Sequence, residues 1–302
     1  MAKNFVAIEI GGTKLQLVAG RPGAIEERRR YPVDVKRGGG GIREQIENVL
    51  PGLVKKWDAR AVALGFGGPV DRRNGRIARS HQIEGWSGFE IRKWLAELSD
   101  TEIVIDNDAN MAALGEATLG AGKDSNPVYY VTLGSGVGGG LVVDGRIYHG
   151  AAPGEAEIGH LRLDRDGAIV EQRCSGWAVD RAIRERASGA LRNMIGDKVG
   201  GEARHLAAAL KANDESARQI LDDAANTLAF ALSHVVQLFH PEIIVLGGGL
   251  SLVGEPLRAA VAKALDSFTM EVFRGTTRVQ LAELGEDAVP AGCLVAAAAA
   301  IG

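Results

Sequence analysis

The chain has 302 residues, with 35 Lys and Arg against 38 Asp and Glu for a formal charge of −3, and is 46% hydrophobic. This length suits one large domain or two ordinary ones, and a pI near 6.1 excludes a global positive field for nucleic acid or an anionic membrane. Two cysteines, Cys174 and Cys293, are too few for a disulfide framework, and there is neither a charged leader nor an 18-residue apolar run. A cytoplasmic protein is expected.

In chain order, Phe5 to Ile10 and Leu15 to Ala19 predict a hairpin joined by Gly11-Gly12-Thr13-Lys14, because glycine tolerates the positive φ of a sharp turn. A basic loop is expected from Tyr31 to Gly41. Ile42 to Trp57 predicts a helix with Ile42, Ile46, Val49, Leu50 and Leu53 on one side, kinked or ended by Pro51. Ala61 to Gly65 reads as a strand running into Phe66-Gly67-Gly68-Pro69, Gly88 to Leu98 as a helix, Glu102 to Ile105 as a strand and Ala109 to Leu119 as a helix.

Val128 to Gly145 then repeats the first apolar, glycine-turn, apolar pattern at an offset of roughly 120 residues, which favours two domains. Beyond it, Cys174 to Arg192, Glu202 to Lys211 and Glu215 to Leu238 predict helices. A strand, Glu242 to Leu246, enters Gly247-Gly248-Gly249, and Gly254 to Asp266 resumes helix. The alanine-rich tail Val289 to Ile301 predicts an apolar helix that must be buried. The alternation of strand and helix is an α/β pattern.

Several of these turns can carry chemistry. Gly11-Gly12-Thr13 and Gly134-Ser135-Gly136 each present clustered backbone N–H groups beside a hydroxyl, a concavity suited to phosphate oxygens, although neither is a Walker sequence. Gly247 to Gly249 sits between a strand and a helix, either a plain strand-to-helix turn or a place where a nucleotide's ribose or base could lie. Asp106 or Asp108 could cap the helix that follows. Alternatively, Asp108 could take the proton of a bound alcohol while it attacks a γ-phosphoryl group, with Asn107 orienting substrate hydroxyls. Glu157 and His160, three residues apart, and Glu171 offer a carboxylate and histidine set for sugar hydroxyls. Cys174 has no evident histidine for nucleophilic catalysis, and His81, His149, His205, His234 and His240 show no clustering.

Together AIEIGGTK (Ala7 to Lys14), FGGPVD (Phe66 to Asp71), DNDANMAALGE (Asp106 to Glu116), LGSGVGGGLVVDG (Leu133 to Gly145), GEAEIGH (Gly154 to His160) and IVLGGGLS (Ile244 to Ser251) resemble the ROK family of sugar kinases and related repressors, within the actin and hexokinase superfamily. The six motifs span nearly the whole chain in the family's order. The resemblance implies a two-domain actin-like, ribonuclease H-like fold, with a small domain over 1–118 joined by a C-terminal helix over 289–302, a large domain over 119–288, and ATP and sugar in a cleft that closes. It implies Asp108 as catalytic base, and Gly68, Asn107, Asp108, Glu157, His160 and Glu171 as sugar contacts. Gly11, Gly12, Thr13, Lys14, Gly134, Ser135 and Gly136 would surround the phosphates, with Gly247, Gly248 and Gly249 near the nucleoside.

Three departures stand out. The family's zinc loop, CxCGxxGC, is missing after His160. Its last cysteine would fall near Ile169, so Cys174 does not replace it and no structural zinc is expected. Glu9 stands where an aspartate usually organises Mg2+ through water, and Gln82 where an asparagine often meets the sugar. The expectation is an ATP- and Mg2+-dependent kinase acting on the 6-hydroxyl of a hexose, glucose by default, in a homodimer that binds neither nucleic acid nor membrane. Mannose, N-acetylmannosamine, N-acetylglucosamine, fructose or allose, polyphosphate as donor, and a sugar-binding protein with weak or lost transfer stay open. A repressor reading lacks the expected DNA-binding domain before the first hairpin.

Overall fold

The computed structural model describes residues 3–12, 14–78, 84–151, 154, 156–197 and 199–302. Thr13 and Gln82, both singled out above, lie outside the described residues. The chain opens with the strands β1 (Asn4–Ile10), β2 (Lys14–Arg21) and β3 (Ala24–Pro32), followed by α1 (Gly38–Trp57) and β4 (Ala59–Phe66). A small ribbon of β5 (Val70–Asp71) and β6 (Arg76–Ile77) precedes α2 (Ile91–Ser99), β7 (Glu102–Asn107) and α3 (Asp108–Leu119). Next come β8 (Val128–Leu133), β9 (Val137–Val143), β10 (Arg146–Ile147), α4 (Glu171–Cys174), α5 (Gly176–Arg186), α6 (Gly189–Met194), α7 (Leu206–Lys211) and α8 (Glu215–Phe239). The chain ends with β11 (Ile243–Gly247), α9 (Glu255–Phe268), β12 (Arg278–Leu281) and α10 (Ala288–Ile301).

Two five-stranded sheets result, in the orders β3-β2-β1-β4-β7 and β10-β9-β8-β11-β12. In each, a hairpin (β1/β2, β8/β9) is antiparallel and the two following strands add in parallel. Both predicted glycine hairpins are therefore present and occupy equivalent places in the two sheets. The chain divides into two compact units, one of 1–124, 145–155 and 286–302, the other of 125–144 and 156–285.

In the first unit the period-two alternation of β1 splits the core. Val6, Ile8 and Ile10 pack with Ile42, Ile46, Leu50 and Leu53 of α1, whereas Phe5 and Ala7 pack with Met111 of α3 and Cys293, Leu294 and Ala297 of α10. Small residues dominate that second face (Ala7, Ala61, Ala63), and α10 lies close against it and against α3. The helix crossing is backbone on backbone: a Cβ on Gly292 would fall on the Met111 carbonyl, and one on Gly115 would fall on the Ala288 carbonyl. In the second unit α8 is the central helix, its buried face running from Ala217 to Val236.

The structure corrects three local expectations. The basic loop predicted for Tyr31 to Gly41 ends early: Tyr31 and Pro32 finish β3, and Gly38 to Gly41 form the first turn of α1. Glycine is poor helix material, but Gly39 packs so tightly that a Cβ would lie 3.0 Å from Trp86 Nε1, and its N–H reaches the Glu84 carbonyl at 2.8 Å. Pro51 does not end the helix, which runs on to Trp57. It sits on the exposed side, where the Glu47 carbonyl it strands can be hydrated, while Leu50 and Leu53 hold the buried side. The single helix expected from Cys174 to Arg192 breaks into α4, α5 and α6. Ser175 caps α5 by accepting from Ala178 N, and Gly189 turns the chain at φ +55°. Among the described residues no helix is long and apolar enough to cross a membrane.

Two stability measurements follow. Gly292→Ala is expected to cost at least about 2 kcal/mol by overpacking, seen as a lower denaturation midpoint with the fold retained. Asp214 caps α8 through Ala217 N and also accepts from Leu191 N and the Ser216 hydroxyl, bonds that lower its carboxyl to about 2. Its folded value lies below the unfolded one, so its contribution is complete above about pH 4 and disappears as pH falls through about 2. Asp214→Ala is expected to lose about 1 kcal/mol at neutral pH. Urea titrations from pH 6 to pH 2 should show the two proteins converging.

Candidate active site

The first unit brings its polar residues to the carboxyl ends of three neighbouring parallel strands, where α/β sheets place their ligands. Register does this: Glu9 pairs with Gly65, which pairs with Asp106, and Ile10 with Phe66, which pairs with Asn107. Asp108 is the next residue and the first of α3. Gly65 is required between the two acidic strands, because a Cβ there would strike Val289 of α10 and come within 3.5 Å of Asp108 Cα. A Cβ on Gly67 would lie 3.3 Å from Asp108 Oδ2 and 3.6 Å from Gly11 Cα, so the carboxylate faces the turn after β4 close to the first hairpin. Gly11 N–H closes that hairpin on the Lys14 carbonyl at 2.9 Å, and Gly67 N–H reaches the Ile10 carbonyl at 2.8 Å.

Asp106 and Asp108 were both candidates to cap α3, but the cap is Asn107. Its Oδ1 accepts from Ala109 N at 2.8 Å and Asn110 N at 3.3 Å, while its Nδ2 donates to the Gly68 carbonyl at 3.1 Å. Asn107 thus ties Gly68 to the start of the helix. Asp106 is buried: its Oδ1 accepts from Asn107 N and Asn110 Nδ2, and its Oδ2 lies 2.6 Å from His149 Nε2, with Arg72 Nε at 3.9 Å. His149 had no neighbour along the sequence, and its partner lies 43 positions away. Gly145 to Glu155, the segment that carries it, belongs to the first unit although the chain on either side belongs to the second.

The hairpin also carries Glu9, 12% exposed, whose Oε1 is 3.2 Å from Lys14 Nζ and whose Oε2 accepts from Gln16 Nε2. Glu9 and Asp108 are hard oxygen donors, the chemistry that suits Mg2+. Among the described residues no group of three or more His, Cys, Asp or Glu could hold a metal ion.

In the second unit a second set converges on the other hairpin. Gly134 N–H reaches the Gly136 carbonyl at 3.0 Å, and Gly176 N–H reaches the Gly134 carbonyl at 2.7 Å. Val137 is the meeting point. Its N–H donates to Glu171 Oε2 at 3.0 Å, and Gly159, between Glu157 and His160, lies so close that a Cβ would fall on the Val137 carbonyl. Glu157 Oε2 stands 3.7 Å from His160 Nδ1, just after Ala156, which holds a positive φ of 55°. Burial, with the Glu157 carboxylate nearby, pushes the Tyr129 phenol far above its ordinary range. Gly248, at φ +81°, leaves no room for a Cβ against the Leu133 backbone, so the Gly247 to Gly249 turn abuts the start of the Gly134 turn.

The cysteines stand apart from this chemistry. Cys174 donates to the Val170 carbonyl, and burial, reinforced by Glu171, pushes its thiol up to about 12. Cys293 is wholly buried in α10, and its thiol is likewise raised by burial.

The ROK family pattern matches residues 5–300. A glucokinase of Thermotoga maritima is 29% identical over 298 residues, covering 94% of each chain, and an N-acetylmannosamine kinase of Escherichia coli O139:H28 is 29% identical over 250 residues, covering 82% of this chain and 83% of its own. The crystal structure of a ROK family glucokinase from Streptomyces griseus in complex with glucose and AMPPNP superposes with a TM-score of 0.86 at 27% identity, covering 98% of this chain and 99% of that one. With these motifs in order and the family pattern matched almost end to end, the chain belongs to the ROK family, in a form without the zinc-binding cysteine cluster.

Proposed function

We propose that this protein is an ATP-dependent carbohydrate kinase that transfers the γ-phosphoryl group to the 6-hydroxyl of a hexose, with glucose as first candidate and Asp108 as base. The observation that carries this reading is the geometry at the start of α3: Asn107 is the N-cap, Asp108 Oδ1 accepts from Ala109 N at 2.8 Å, and Asp108 Oδ2 faces Gly67 beside the Gly11 turn. The S. griseus relative, crystallised with glucose and AMPPNP, supports both ligands. The equal identity to a glucokinase and an N-acetylmannosamine kinase makes the substituent at C2 the open axis of specificity.

In this reading Asp108 accepts the proton of O6 as O6 bonds to the γ-phosphorus and the bond from that phosphorus to the β,γ-bridging oxygen breaks, leaving ADP. The two glycine hairpin turns hold phosphate oxygens through backbone N–H groups other than those of Gly11 and Gly134, which close the turns on the Lys14 and Gly136 carbonyls, and Gly247 to Gly249 border the nucleoside. Glu9 and Asp108 would hold Mg2+ through water, and the ion would neutralise charge on the transferring phosphoryl group. Glu157, His160 and the second oxygen of Glu171 take ring hydroxyls. The repeated sheet order supports an actin-like pair of domains for the two units, and the family supports a homodimer. Cysteine usage supports a reducing, cytoplasmic setting.

ADP release measured across a panel of hexoses and N-acetylhexosamines tests the reading, and no turnover above background with any of them would refute it. Asp108→Asn is expected to lower kcat by about 10³-fold while the sugar dissociation constant stays within about threefold, because base catalysis is lost and ground-state binding is not. Gly136→Ala would drive its methyl into the Glu171 carboxylate. The sugar KM is then expected to rise about tenfold, the worth of one charge-assisted hydrogen bond, with the denaturation midpoint near that of the parent.

A further inference from the structure

β2 is an apolar strand with one amide inside it, Gln16, which has no exposed surface. A buried carboxamide must place its N–H groups on acceptors and its oxygen on a donor, or it destabilises the fold. Gln16 does so: Nε2 donates to Glu9 Oε2 and, at 3.3 Å, to the Glu286 carbonyl, and Oε1 accepts from Arg28 Nη1 at 3.0 Å. Arg28 decides which way the amide faces. A guanidinium only donates, so the end it meets must be the oxygen and the end at Glu9 must be the NH2. Arg28 is anchored in turn by Asp287 Oδ1 at 2.5 Å, and with the Glu286 carbonyl this ties the network to the turn that leads into α10.

We propose that Gln16 is the positioning residue for Glu9, so that the two form a matched pair and the Arg28-oriented carboxamide sets the direction in which the carboxylate addresses the hydrated cation and phosphates. The proposal rests on the kinase reading of the first hairpin. Glu9 and Gln16 sit directly opposite each other across antiparallel strands, so each side chain's length is matched to the other. Lys14 Nζ stands 3.2 Å from the other oxygen, Oε1. Without Gln16 the carboxylate would be aimed by Lys14 alone and would turn toward it. Without the extra methylene of Glu9, the carboxylate would leave the Gln16 amide.

The test is a double-mutant cycle of Glu9→Asp and Gln16→Leu, read by kcat and by calorimetric affinity for AMPPNP with Mg2+ and with EDTA. Each single change is expected to lower kcat and the Mg2+-dependent gain in AMPPNP affinity about tenfold, with the sugar KM within about twofold. The double variant should be far less than additive, because both changes break the same bond. Arg28→Met alters a partly exposed side chain and frees the amide to turn; it should show the same loss at about threefold, and it decides the matter if Gln16→Leu does not fold. Additive losses, or Mg2+-dependent affinity unchanged in both Gln16→Leu and Arg28→Met, would overturn the proposal. A parent protein that binds Mg2+ and AMPPNP but phosphorylates no sugar would overturn the kinase reading alone, since the affinity cycle still reports on Gln16.

Discussion

The first unit depends on one constraint: α10 must lie with its backbone almost in contact with α3 and with the strands beneath. Gly292 and Gly115 permit the helix crossing, Gly65 admits Val289, and alanines along β1 and β4 keep the sheet face flat. Phe5, Met111 and Leu294 fill the rest of that layer, but no side chain could stand at the glycine positions. The acidic residues at the strand ends are therefore held by a layer whose tolerance is less than a methyl group, the regime in which packed interiors transmit displacement without absorbing it. Asp108 Cα and Val289 both lie against Gly65, so the position of Asp108 is set by the last helix of the chain as much as by its own strand.

The second unit reaches a comparable end by different means. Its anchor is a single residue of the hairpin, Val137, whose N–H and carbonyl faces collect Glu171 and the Ile158 to His160 turn. Here the bracing is a short return, with Leu163 N–H on the Ala168 carbonyl and Val170 N–H on the Leu161 carbonyl, ending in the buried Cys174. Backbone pairing and apolar burial hold this segment.

The glycine turns, the strand and helix alternation and the family motifs were legible in the sequence because each depends on local backbone demands or on fixed spacing. The helical role of Gly38 to Gly41 was not, because local propensity argues against it and only the approach of Trp86 reverses the balance. Nor was the His149 to Asp106 contact, which joins two segments with no shared periodicity. That Asn107, expected as a substrate contact, also caps α3 required the direction of its carboxamide. Gln16 could have been found: an amide inside an apolar strand, opposite Glu9 when the hairpin pairs symmetrically about its turn, invites the question of what it bonds.

The inertness of the two cysteines has a practical consequence. One thiol lies in each unit, both are buried, and burial keeps both protonated far above neutral pH. A cysteine introduced on the surface would be the sole thiolate available to a maleimide probe, with no need to strip the native pair. Spectroscopic labels could be set one in each unit, and the distance between them followed as nucleotide and sugar are added.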